Sequence, residues 1–548
     1  MVSAHLINLP FSAMWNFLGT QYFFNSKFES ITKFRQAHFD SEANFLDSEF
    51  QAGGDFSECR FEDYANFSST QFDGRAFFQS AKFQDKFIIN EASFKQEAVF
   101  DFVTFDGVVL AKRANFTDKL RCTDGFHDDV SFEGSDFRGL AKFGDFEGVA
   151  VFRNCTFNIV VFYGEFQDDA DFIQTDFDDE ARFRGEFCEG VSFRKANFNT
   201  GPDFEDIDIS NGIFVDANLQ EANISDTSAK YANFRSARLE NADMDGTNFS
   251  QANFEQAKLS GASLFDANLS GALLYSAHVR DVSVSTNTTF DKNGRYRCIY
   301  DPKSKYEYNF DDNQEVYAFA TIEKDKNAEE VFDYAEEVLD SLDLDTPSSQ
   351  DEDSFSTQND DSISSDTEYE NTSSREEGEV SDIRKGINTY YILEQLTRNN
   401  ALLDEQAKFF VRRQDMRRTQ LREDGRQVEY WFAEAQNAVF RHGESFSRVV
   451  AWSVGTIIAF AFLYPIGGWL KKESPTGELQ QIYTYDAIVD SPILLLESFN
   501  HSALLFLTGT GPLKPVGFIG EVLTTSETLI APILLLLLVF VLGRRAAR

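Results

Sequence analysis

Residues 214–274 read FVDANLQEANISDTSAKYANFRSARLENADMDGTNFSQANFEQAKLSGASLFDANLSGALL, and a large apolar residue returns in them at almost every fifth position. These large residues are Phe214, Leu219, Ile224, Phe234, Leu239, Met244, Phe249, Phe254, Leu259, Leu264, Leu269 and Leu274. An alanine precedes most of them by two positions. An α-helix repeats every 3.6 residues and a β-strand every two, so neither element produces a period of five. A fixed short period over this length predicts a solenoid, whose coils bury their side chains only by stacking on one another.

The same pattern begins earlier in the chain, where the steps alternate between five and six residues. The large residue there is Phe, at Phe34, Phe39, Phe45, Phe50, Phe56, Phe61, Phe67, Phe72, Phe78 and Phe83. One inward residue in five requires a turn of roughly a right angle at each step, so four steps close one square coil. The sixth residue predicts wider coils with bulged corners, and we expect a less regular register between Leu110 and Phe166. This inward spacing favours a hydrophobic core over an aromatic binding surface.

Three segments carry a more specific signature. Residues 217–219 (ANL), 252–254 (ANF) and 267–269 (ANL) match the pattern A-(D/N)-L-x-x, and in them the chain resembles the pentapeptide-repeat family. This resemblance implies an all-β fold, a right-handed quadrilateral β-helix, which we expect over residues 28–278. The N-terminal coils differ from the family pattern in their central Phe and in their additional residue.

The organisation around the repeat follows from composition and pattern. Solenoid ends need covers, so we expect a helical cap in residues 1–27 and a hairpin cap in residues 279–322. Residues 323–382 are rich in Asp, Glu and Ser and are expected to form an acidic, disordered linker. Residues 383–446 have apolar residues at helical spacing and are expected to form two or three cytoplasmic helices that lead to the membrane.

The middle helix of this group is rich in arginine. The residues are Arg412, Arg413, Arg417, Arg418 and Arg422. We expect them to form a helix face that is solvated or faces lipid headgroups; the alternative is a surface for salt bridges between subunits.

The chain is strongly acidic. Its formal net charge of −40 argues against nucleic-acid binding through a general basic surface. Asp and Glu are spread over every part outside the apolar stretches, which is typical of proteins solvated in high salt. We therefore expect a halophilic, haloarchaeal source.

The reactive side chains show no catalytic pattern. The five cysteines form no CxxC pair or His/Cys cluster, so we expect no zinc or other metal site. Cys59, Cys155 and Cys188 fall on inward positions of the repeat and are expected to be core residues in a reducing compartment. Acidic pairs such as Asp128-Asp129 recur without a partner histidine or nucleophile, which favours solvated corners over an enzyme.

Two apolar stretches near the C-terminus are each long enough to cross a bilayer. Residues 449–469 and 524–542 match the roughly 20 residues that a bilayer core requires. Arginines precede the first stretch and follow the second, whereas Lys471 and Lys472 lie between them. The positive-inside tendency therefore places both termini in the cytoplasm. We expect a multi-pass protein of the cell membrane, in contact with lipid, with a cytoplasmic solenoid.

The segment between the two stretches is the most informative part of the C-terminal region. Residues 493–507 are apolar but too few to span a bilayer, and the sequence TGTGP follows at 508–512. Irregular backbone at membrane depth occurs where it lines a cavity or is buried in protein. Rings of carbonyl oxygens in such loops replace the hydration shell of a cation. The sequence therefore predicts a re-entrant pore helix at 493–507 and a filter-like loop at 508–512.

This order of span, short helix, loop and span resembles the two-transmembrane potassium-channel pore. Gly509 and Gly511 align with the two glycines of its T-V-G-Y-G-D signature, whereas Thr510 and Pro512 replace its aromatic residue and its Asp. The resemblance implies a homotetramer in which Thr508, Gly509, Thr510 and Gly511 form the ion pathway. The permeant ion would be a monovalent cation, with K⁺ as the candidate, and no other cofactor is expected.

Three functions are consistent with these features of the sequence. The first is a potassium-channel-like cation channel subunit, tetrameric, whose cytoplasmic solenoid regulates the pore or docks a protein partner. The second is a non-conducting, membrane-anchored interaction scaffold, which the altered filter suggests. The third is a DNA mimic similar to the soluble pentapeptide-repeat proteins that bind topoisomerases, and the two spans argue against it. Catalysis and direct binding of nucleic acid are the weakest hypotheses.

Three polar residues of the membrane region have more than one interpretation. His501 is expected to be a polar residue packed behind the filter-like loop, although a protonation switch is conceivable. Glu497 and Glu527 are either ionisable groups buried within the membrane or residues at its outer surface.

Overall fold

The computed structural model describes residues 15–291, 298, 300, 381–474 and 476–546, which fall into two compact units. The first unit contains the repeat and is built from β-strands. The second unit contains the C-terminal helices together with Cys298 and Tyr300.

The first unit is a β-solenoid of about 12 turns. Its strands are mostly two residues long, and they pair in parallel with the equivalent strands of the neighbouring coils. In the N-terminal coils the repeat is 22 residues, the separation of the bonded pair Gln36 and Glu58. In the C-terminal coils it is 20 residues, the separation of Asn248 and Asn268. The steps of five and six residues in the sequence therefore correspond to the four sides of a coil.

The strands align into the faces of the solenoid. One face contains the strands Asn16–Phe17, His38–Phe39, Arg60–Phe61, Lys82–Phe83 and Thr104–Phe105. A second contains Gln21–Tyr22, Ala43–Asn44, Ala65–Asn66, Phe87–Ile88, Val109–Leu110, Val130–Ser131, Ala150–Val151, Ala170–Asp171 and Val191–Ser192. The remaining two faces belong to one sheet of Lys27–Phe28, Thr32–Lys33, Glu49–Phe50, Gly54–Asp55, Gln71–Phe72, Ala76–Phe77, Ser93–Phe94, Ala98–Val99, Asn115–Phe116, Leu120–Cys122, Asp136–Phe143, Thr156–Phe162, Asp176–Phe177, Ala181–Phe183 and Asn197–Phe198. Ser263–Leu264 pairs with Ser283–Val284 near the end of the solenoid, where most coils are joined by single bridges.

The core of the solenoid is a stack of aromatic rings, as the inward spacing predicts. The ring of Phe56 lies between those of Phe34 and Phe78, parallel to both, with centroid distances of 5.0 Å on each side. Phe56 and Phe78 have no exposed surface. Burial of a Phe side chain contributes about 1.5–3 kcal/mol, and an aromatic pair adds about 0.5–1.5 kcal/mol. The stack is therefore the main stabilising feature of this unit.

The two step lengths produce two kinds of corner. The five-residue steps contain a residue in the left-handed region, such as Gln36 with φ 62°, Asp47 with φ 55° and Glu58 with φ 58°. The six-residue steps that start at Phe39 and Phe61 contain none. A left-handed conformation costs a residue with a side chain about 1–2 kcal/mol. The additional residue thus allows the chain to turn without that cost.

The coils become less regular between Leu110 and Phe166, as expected. Here two long strands, Asp136–Phe143 and Thr156–Phe162, continue from one face into the next, and their pairing shifts register between Phe137 and Leu140. The aromatic stack nevertheless continues through this region. The centroids of successive rings are 4.7–5.1 Å apart in the stack of Phe105, Phe126, Phe146, Phe166 and Phe187.

The predicted caps are wrong in the residues that the structure describes. The strand Asn16–Phe17 already pairs with the coil above it, and the ring of Phe17 stacks on that of Phe39 at 4.7 Å. At the other end, Thr289 still bridges to Asn268. The same inward ladder extends through both regions, so the solenoid is longer than residues 28–278. Residues 1–14, most of the predicted hairpin and the linker up to residue 380 lie outside the described residues.

Cys188 is a further correction. It was expected inward, but it is exposed, and Phe187 takes the inward position with 6% exposure. The larger apolar side chain fills the axis of the coil better than the thiol. Cys59 and Cys155 are buried as expected.

The second unit consists of seven α-helices and a small sheet among its described residues. The helices are α1 (Asp382–Asn399), α2 (Leu403–Glu423), α3 (Gln427–Phe440), α4 (Phe446–Leu463), α5 (Tyr485–Asp490), α6 (Ile493–Thr508) and α7 (Gly517–Ala546), and the 3₁₀ helices are Arg441–Gly443 and Tyr464–Gly467. The strands β1 (Leu470–Glu473), β2 (Leu479–Ile482) and β3 (Lys514–Pro515) form an antiparallel sheet with β1 at its centre. Helices α1 to α3 confirm the helical segment predicted from 383–446.

Helices α1 and α2 pack as an antiparallel hairpin joined by a short turn. Tyr390, Leu396 and Phe409 are buried between them. The hydroxyl of Tyr390 accepts a hydrogen bond from the backbone N–H of Cys298 at 3.1 Å. These contacts give the hairpin a core of its own.

Two helical segments are long and apolar enough to cross a membrane, by length and composition: Phe446–Gly467 and Gly517–Arg544. Helix α7 contains the predicted span 524–542 and begins seven residues before it, at Gly517. The hydroxyl of Thr524 bonds to the carbonyl of Gly520 at 2.9 Å, and that of Thr528 to the carbonyl of Thr524 at 2.8 Å. These hydroxyl groups donate to backbone carbonyls of the same helix, so the polar residues at its start do not end the helix.

Candidate functional site

Helix α6 ends at the loop that the sequence singles out. Thr508 is the last helical residue, one position later than predicted, and Gly509 caps the helix with φ 73° and an N–H bond to the carbonyl of Leu505 at 2.9 Å. This left-handed conformation favours glycine. The filter-like loop therefore starts at a tight helix end.

The four residues of the predicted ion pathway are contiguous and accessible. Thr508, Gly509 and Thr510 are exposed, and Gly511 is partly buried. The Thr508 hydroxyl lies 2.8 Å from the carbonyl oxygen of Leu504 and 3.1 Å from that of Thr510. The loop thus presents hydroxyl and carbonyl oxygens and no charged group.

His501 lies directly behind this loop, as expected from the sequence. Its side chain is 1% exposed, and Nδ1 accepts a hydrogen bond from the backbone N–H of Leu513 at 3.1 Å. A Cβ added to Gly511 would be only 2.2 Å from Nδ1. Because Nδ1 is the acceptor, the neutral ring carries its proton on Nε2. His501 therefore fixes the position of the loop and requires glycine at position 511.

A buried carboxylate joins three segments of the second unit. Glu527 on α7 has no exposed surface, and it accepts hydrogen bonds from the hydroxyl of Tyr464, at 2.8 Å, and from the hydroxyl of Ser502 on α6. Ser502 also lies 3.0 Å from the carbonyl oxygen of Ile457 on α4. Of the two interpretations of Glu527, the structure supports the buried one.

Glu497 has a different environment. It bonds to Nζ of Lys472 at 2.9 Å and to the hydroxyl of Tyr483. It therefore connects α6 to the segment around β1 and β2. The ion pair is partly exposed, so Glu497 belongs to the surface of the unit.

Ser498 and Ser502 were not predicted from the sequence as contact residues. Ser498 donates to the carbonyl of Ala461 at 2.8 Å, and both serines are fully buried. Ser498 and Ser502 are four residues apart, so they share one face of α6 with His501. A polar stripe on an otherwise apolar helix is the signal that would have identified them.

In the solenoid, acidic pairs support the turns. The carboxylate of Asp128 accepts from the N–H of Asp129 at 2.8 Å, and that of Asp129 accepts from the N–H of Val149 at 2.9 Å in the next coil. Partial burial raises the pKa of Asp129. Among the described residues, no group of three or more His, Cys, Asp or Glu side chains is arranged to hold a metal ion.

The arginines of α2 are largely paired within the chain. Arg413 bonds to Glu394 at 3.0 Å, and Arg418 to Glu434 at 3.0 Å. Arg412 lies 3.8 Å from Asp415. Burial raises the pKa of Glu394 and lowers that of Arg413. The expected solvated face is therefore restricted to the other arginines of this helix.

Comparison with known proteins supports the assignment of the first unit. The family described as pentapeptide repeats matches residues 203–241 and 232–271 in 8 copies. A fold of stacked coils with inward large residues defines a β-solenoid protein. The first unit is therefore a β-solenoid that contains pentapeptide repeats, and it is followed in the chain by C-terminal helices that include two candidate membrane spans.

Several solved structures are similar to parts of the chain. A pentapeptide repeat protein of the Arabidopsis thaliana thylakoid lumen is 23% identical over 18% of this chain and 72% of its own, with a TM-score of 0.16. Trypsin-treated QnrB1, a plasmid-mediated fluoroquinolone resistance protein, is 12% identical over 47% of this chain and 92% of its own, with a TM-score of 0.19. HetL of Nostoc, involved in heterocyst differentiation regulation, is 17% identical over 41% of this chain and 88% of its own, with a TM-score of 0.13. No curated protein matches the chain.

Proposed function

We propose that the chain is a subunit of a potassium-channel-like cation channel in the cell membrane. In this proposal α4 and α7 span the membrane, α6 is re-entrant, and Thr508 to Gly511 line the ion pathway. The main support is the position of α6, which packs against both apolar helices and ends in an exposed loop held from behind by His501. Its 16 residues extend roughly 24 Å, less than a bilayer core of about 30 Å.

The chemistry of the loop suits a monovalent cation, with K⁺ as the candidate. Carbonyl and hydroxyl oxygens replace water around a cation without binding it too tightly to leave. Four copies of the loop around one axis would supply a ring of such oxygens at each level. The buried contacts of Glu527 support this arrangement, because polar groups inside a membrane protein must be satisfied internally.

Assembly into a homotetramer is part of the proposal. Ala451, Gly455 and Ala459 lie on one face of α4, and they line an apolar groove of about 400 Å³ with Ile530 of α7. A Cβ on Gly455 would meet no neighbour within 4 Å. Small residues at this spacing allow another helix to approach closely. We assign this groove to an apolar helix of a second copy.

The orientation follows from charge. Arg441 and Arg448 precede the first span and Arg544 lies at the end of the second. Lys471 and Lys472 lie in the segment between the two spans. This distribution supports cytoplasmic termini and a cytoplasmic solenoid. The solenoid would then regulate the pore or dock a protein partner.

The test is single-channel recording of the purified full-length protein in planar bilayers at high salt, with K⁺ on one side and Na⁺ on the other. A unitary current with a reversal potential that favours K⁺ is the expected result. A tetramer that carries no current would overturn the channel and leave the scaffold.

A non-conducting, membrane-anchored interaction scaffold is the second candidate. It is favoured by the contact between the Thr508 hydroxyl and the Thr510 carbonyl oxygen, because an engaged carbonyl is less free to face a cation. This candidate predicts solenoid-dependent partner binding with no ion flux.

A further inference from the structure

The hairpin of α1 and α2 contains a cavity that the proposed pore does not use. It has a volume of about 290 Å³. Arg384 and Tyr391 line it from α1, and Arg413, Arg417 and Gln420 line it from α2. The α1 residues are seven positions apart, and the α2 residues follow at steps of four and three, so each set lies on one helix face.

The lining is positively charged. None of the described residues that line the cavity carries a carboxylate. Arg413 is paired with Glu394 through Nη2, at 3.0 Å, but its Nε is buried with no hydrogen-bond partner in the described part of the chain. Arg384 and Arg417 form no ion pair with any described residue. Arg413 and Glu394 neutralise each other, so the charges of Arg384 and Arg417 give the cavity a net charge of about +2. The chain as a whole has a formal net charge of −40.

We propose that this cavity binds a phosphate-bearing anion, specifically a single phosphomonoester group. Guanidinium groups present planar pairs of donors that match phosphate oxygens, and they remain charged at any physiological pH. A phosphomonoester has a charge of about −1.5 to −2 at neutral pH, which matches the uncompensated charge of the cavity. Gln420 and the Tyr391 hydroxyl add neutral donors.

The size of the cavity limits the ligand. Its volume of about 290 Å³ is just below the range of about 300–1,000 Å³ for small-molecule sites. One phosphate group and a short polar or acyl-linked body fit, whereas a larger phosphorylated compound extends beyond the lining. The phosphate comes either from a soluble phosphomonoester or from the headgroup of a membrane lipid.

The cavity is one aromatic ring away from the end of α7. The guanidinium carbon of Arg413 lies 5.7 Å from the ring centre of Phe410, and that of Arg544 lies 4.4 Å from the same ring. Arg544 also bonds to Glu444 at 3.2 Å. Phe410 therefore contacts both Arg413, which lines the cavity, and Arg544, which lies in the last turn of the candidate span α7. An anion that moves Arg413 would change its contact with Phe410.

The test measures binding by the full-length protein in detergent, by calorimetry, at the lowest salt at which its helical circular dichroism is retained. Two probes are used: glycerol 3-phosphate, and short-chain phosphatidic acid carried in the same detergent. The variants Arg384→Gln and Arg417→Gln each remove the charge of an exposed side chain that forms no ion pair among the described residues, so the fold should persist. Arg426→Gln is the matched control, since Arg426 is exposed and pairs with Glu429 three positions away.

We expect the wild-type protein to bind at least one probe, and each cavity variant to weaken that binding about tenfold. The control should bind as the wild type does. Binding of glycerol 3-phosphate identifies a soluble phosphomonoester, and binding of phosphatidic acid alone identifies a lipid headgroup. Absence of binding to both probes, unchanged binding in both cavity variants, or an equal loss in Arg426→Gln overturns the proposal.

Discussion

Tyr464 and Glu527, 63 positions apart in the chain, are joined by a hydrogen bond of 2.8 Å from the tyrosine hydroxyl to the carboxylate. Both side chains have no exposed surface. Since Ser502 donates to the same carboxylate, this contact holds α6 between the two apolar helices. The loop after α6 depends on that position.

Replacement of Glu527 should therefore loosen α6. In Glu527→Ala the hydroxyl of Tyr464 loses the carboxylate that accepts its hydrogen bond, and Ser502 keeps only the carbonyl oxygen of Ile457. An unsatisfied buried group costs about 1–3 kcal/mol. We expect a lower unfolding temperature in detergent, and faster hydrogen exchange in residues 493–508. The control is Glu521→Gln, an exposed position on the same helix, which should leave both unchanged. Equal behaviour of the two variants would contradict the role of this contact.

Gly511 should tolerate no side chain. In Gly511→Ala the new methyl group would lie 2.2 Å from Nδ1 of His501, so the loop or the ring must move. If the loop forms an ion pathway, we expect at least a tenfold loss of unitary conductance in planar bilayers. Gly543→Ala, where a Cβ meets no neighbour within 4 Å, is the control. Normal conductance of Gly511→Ala would show that the close packing of Gly511 against His501 is not needed for ion conduction.

Gly455 should control assembly. Gly455→Leu fills the groove between α4 and Ile530, so a helix of a second copy no longer fits. We expect the mass measured by light scattering in detergent to fall from a tetramer to smaller species. Gly543→Leu, also in open space within a single chain, serves for comparison. An unchanged mass in Gly455→Leu would show that the copies meet elsewhere.

Phe56 should be among the most sensitive positions of the solenoid. Phe56→Ala removes a ring stacked between Phe34 and Phe78 and leaves a cavity, which typically costs about 3–5 kcal/mol. We expect the β-solenoid to unfold at a lower denaturant concentration, as followed by circular dichroism. Phe102→Ala should change it by no more than about 0.5 kcal/mol, since Phe102 is 71% exposed. Similar effects of the two changes would contradict the assignment of the core.

The cysteines should differ in reactivity with pH. Burial raises the pKa of the Cys59 thiol to about 12, so its reactive thiolate is scarce at pH 8 and increases only as the pH approaches 12. Cys188 is exposed, and although its pKa is also raised, it is accessible to a reagent. We expect a thiol reagent at pH 8 to label one cysteine in the folded protein, and Cys188→Ser to abolish that signal. Rapid labelling of the Cys188→Ser protein would contradict the burial of the other four cysteines.

The solenoid was predictable because its interactions repeat locally. Each inward Phe meets the equivalent residue of the next coil, so a single period contains the whole packing scheme. The ends were misjudged although Phe17, Phe23 and Phe28 continue the alternation of six and five. The prediction starts the ladder at Phe34 and interprets the apolar residues of 1–27 as a cap.

The helical unit was less predictable for a physical reason. Periodicity identifies an apolar helix, but it does not tell which polar residue on it will meet another segment. The pairing of Tyr464 with Glu527 depends on how three helices cross. The position of His501 was predictable because the loop that it supports begins seven residues later, about two helical turns along α6.

The coils of the solenoid touch only their immediate neighbours, and this has a mechanical consequence. A chain pulled from one end of such a stack unfolds one coil at a time, because each described coil is paired with its neighbours. A coil of 22 residues lengthens to roughly 70–80 Å when drawn out, and a coil of 20 residues to slightly less. Under load the first unit therefore unfolds in a series of discrete extensions. The length of each extension shows whether the coil that opens is a 22-residue coil of the N-terminal end or a 20-residue coil of the C-terminal end.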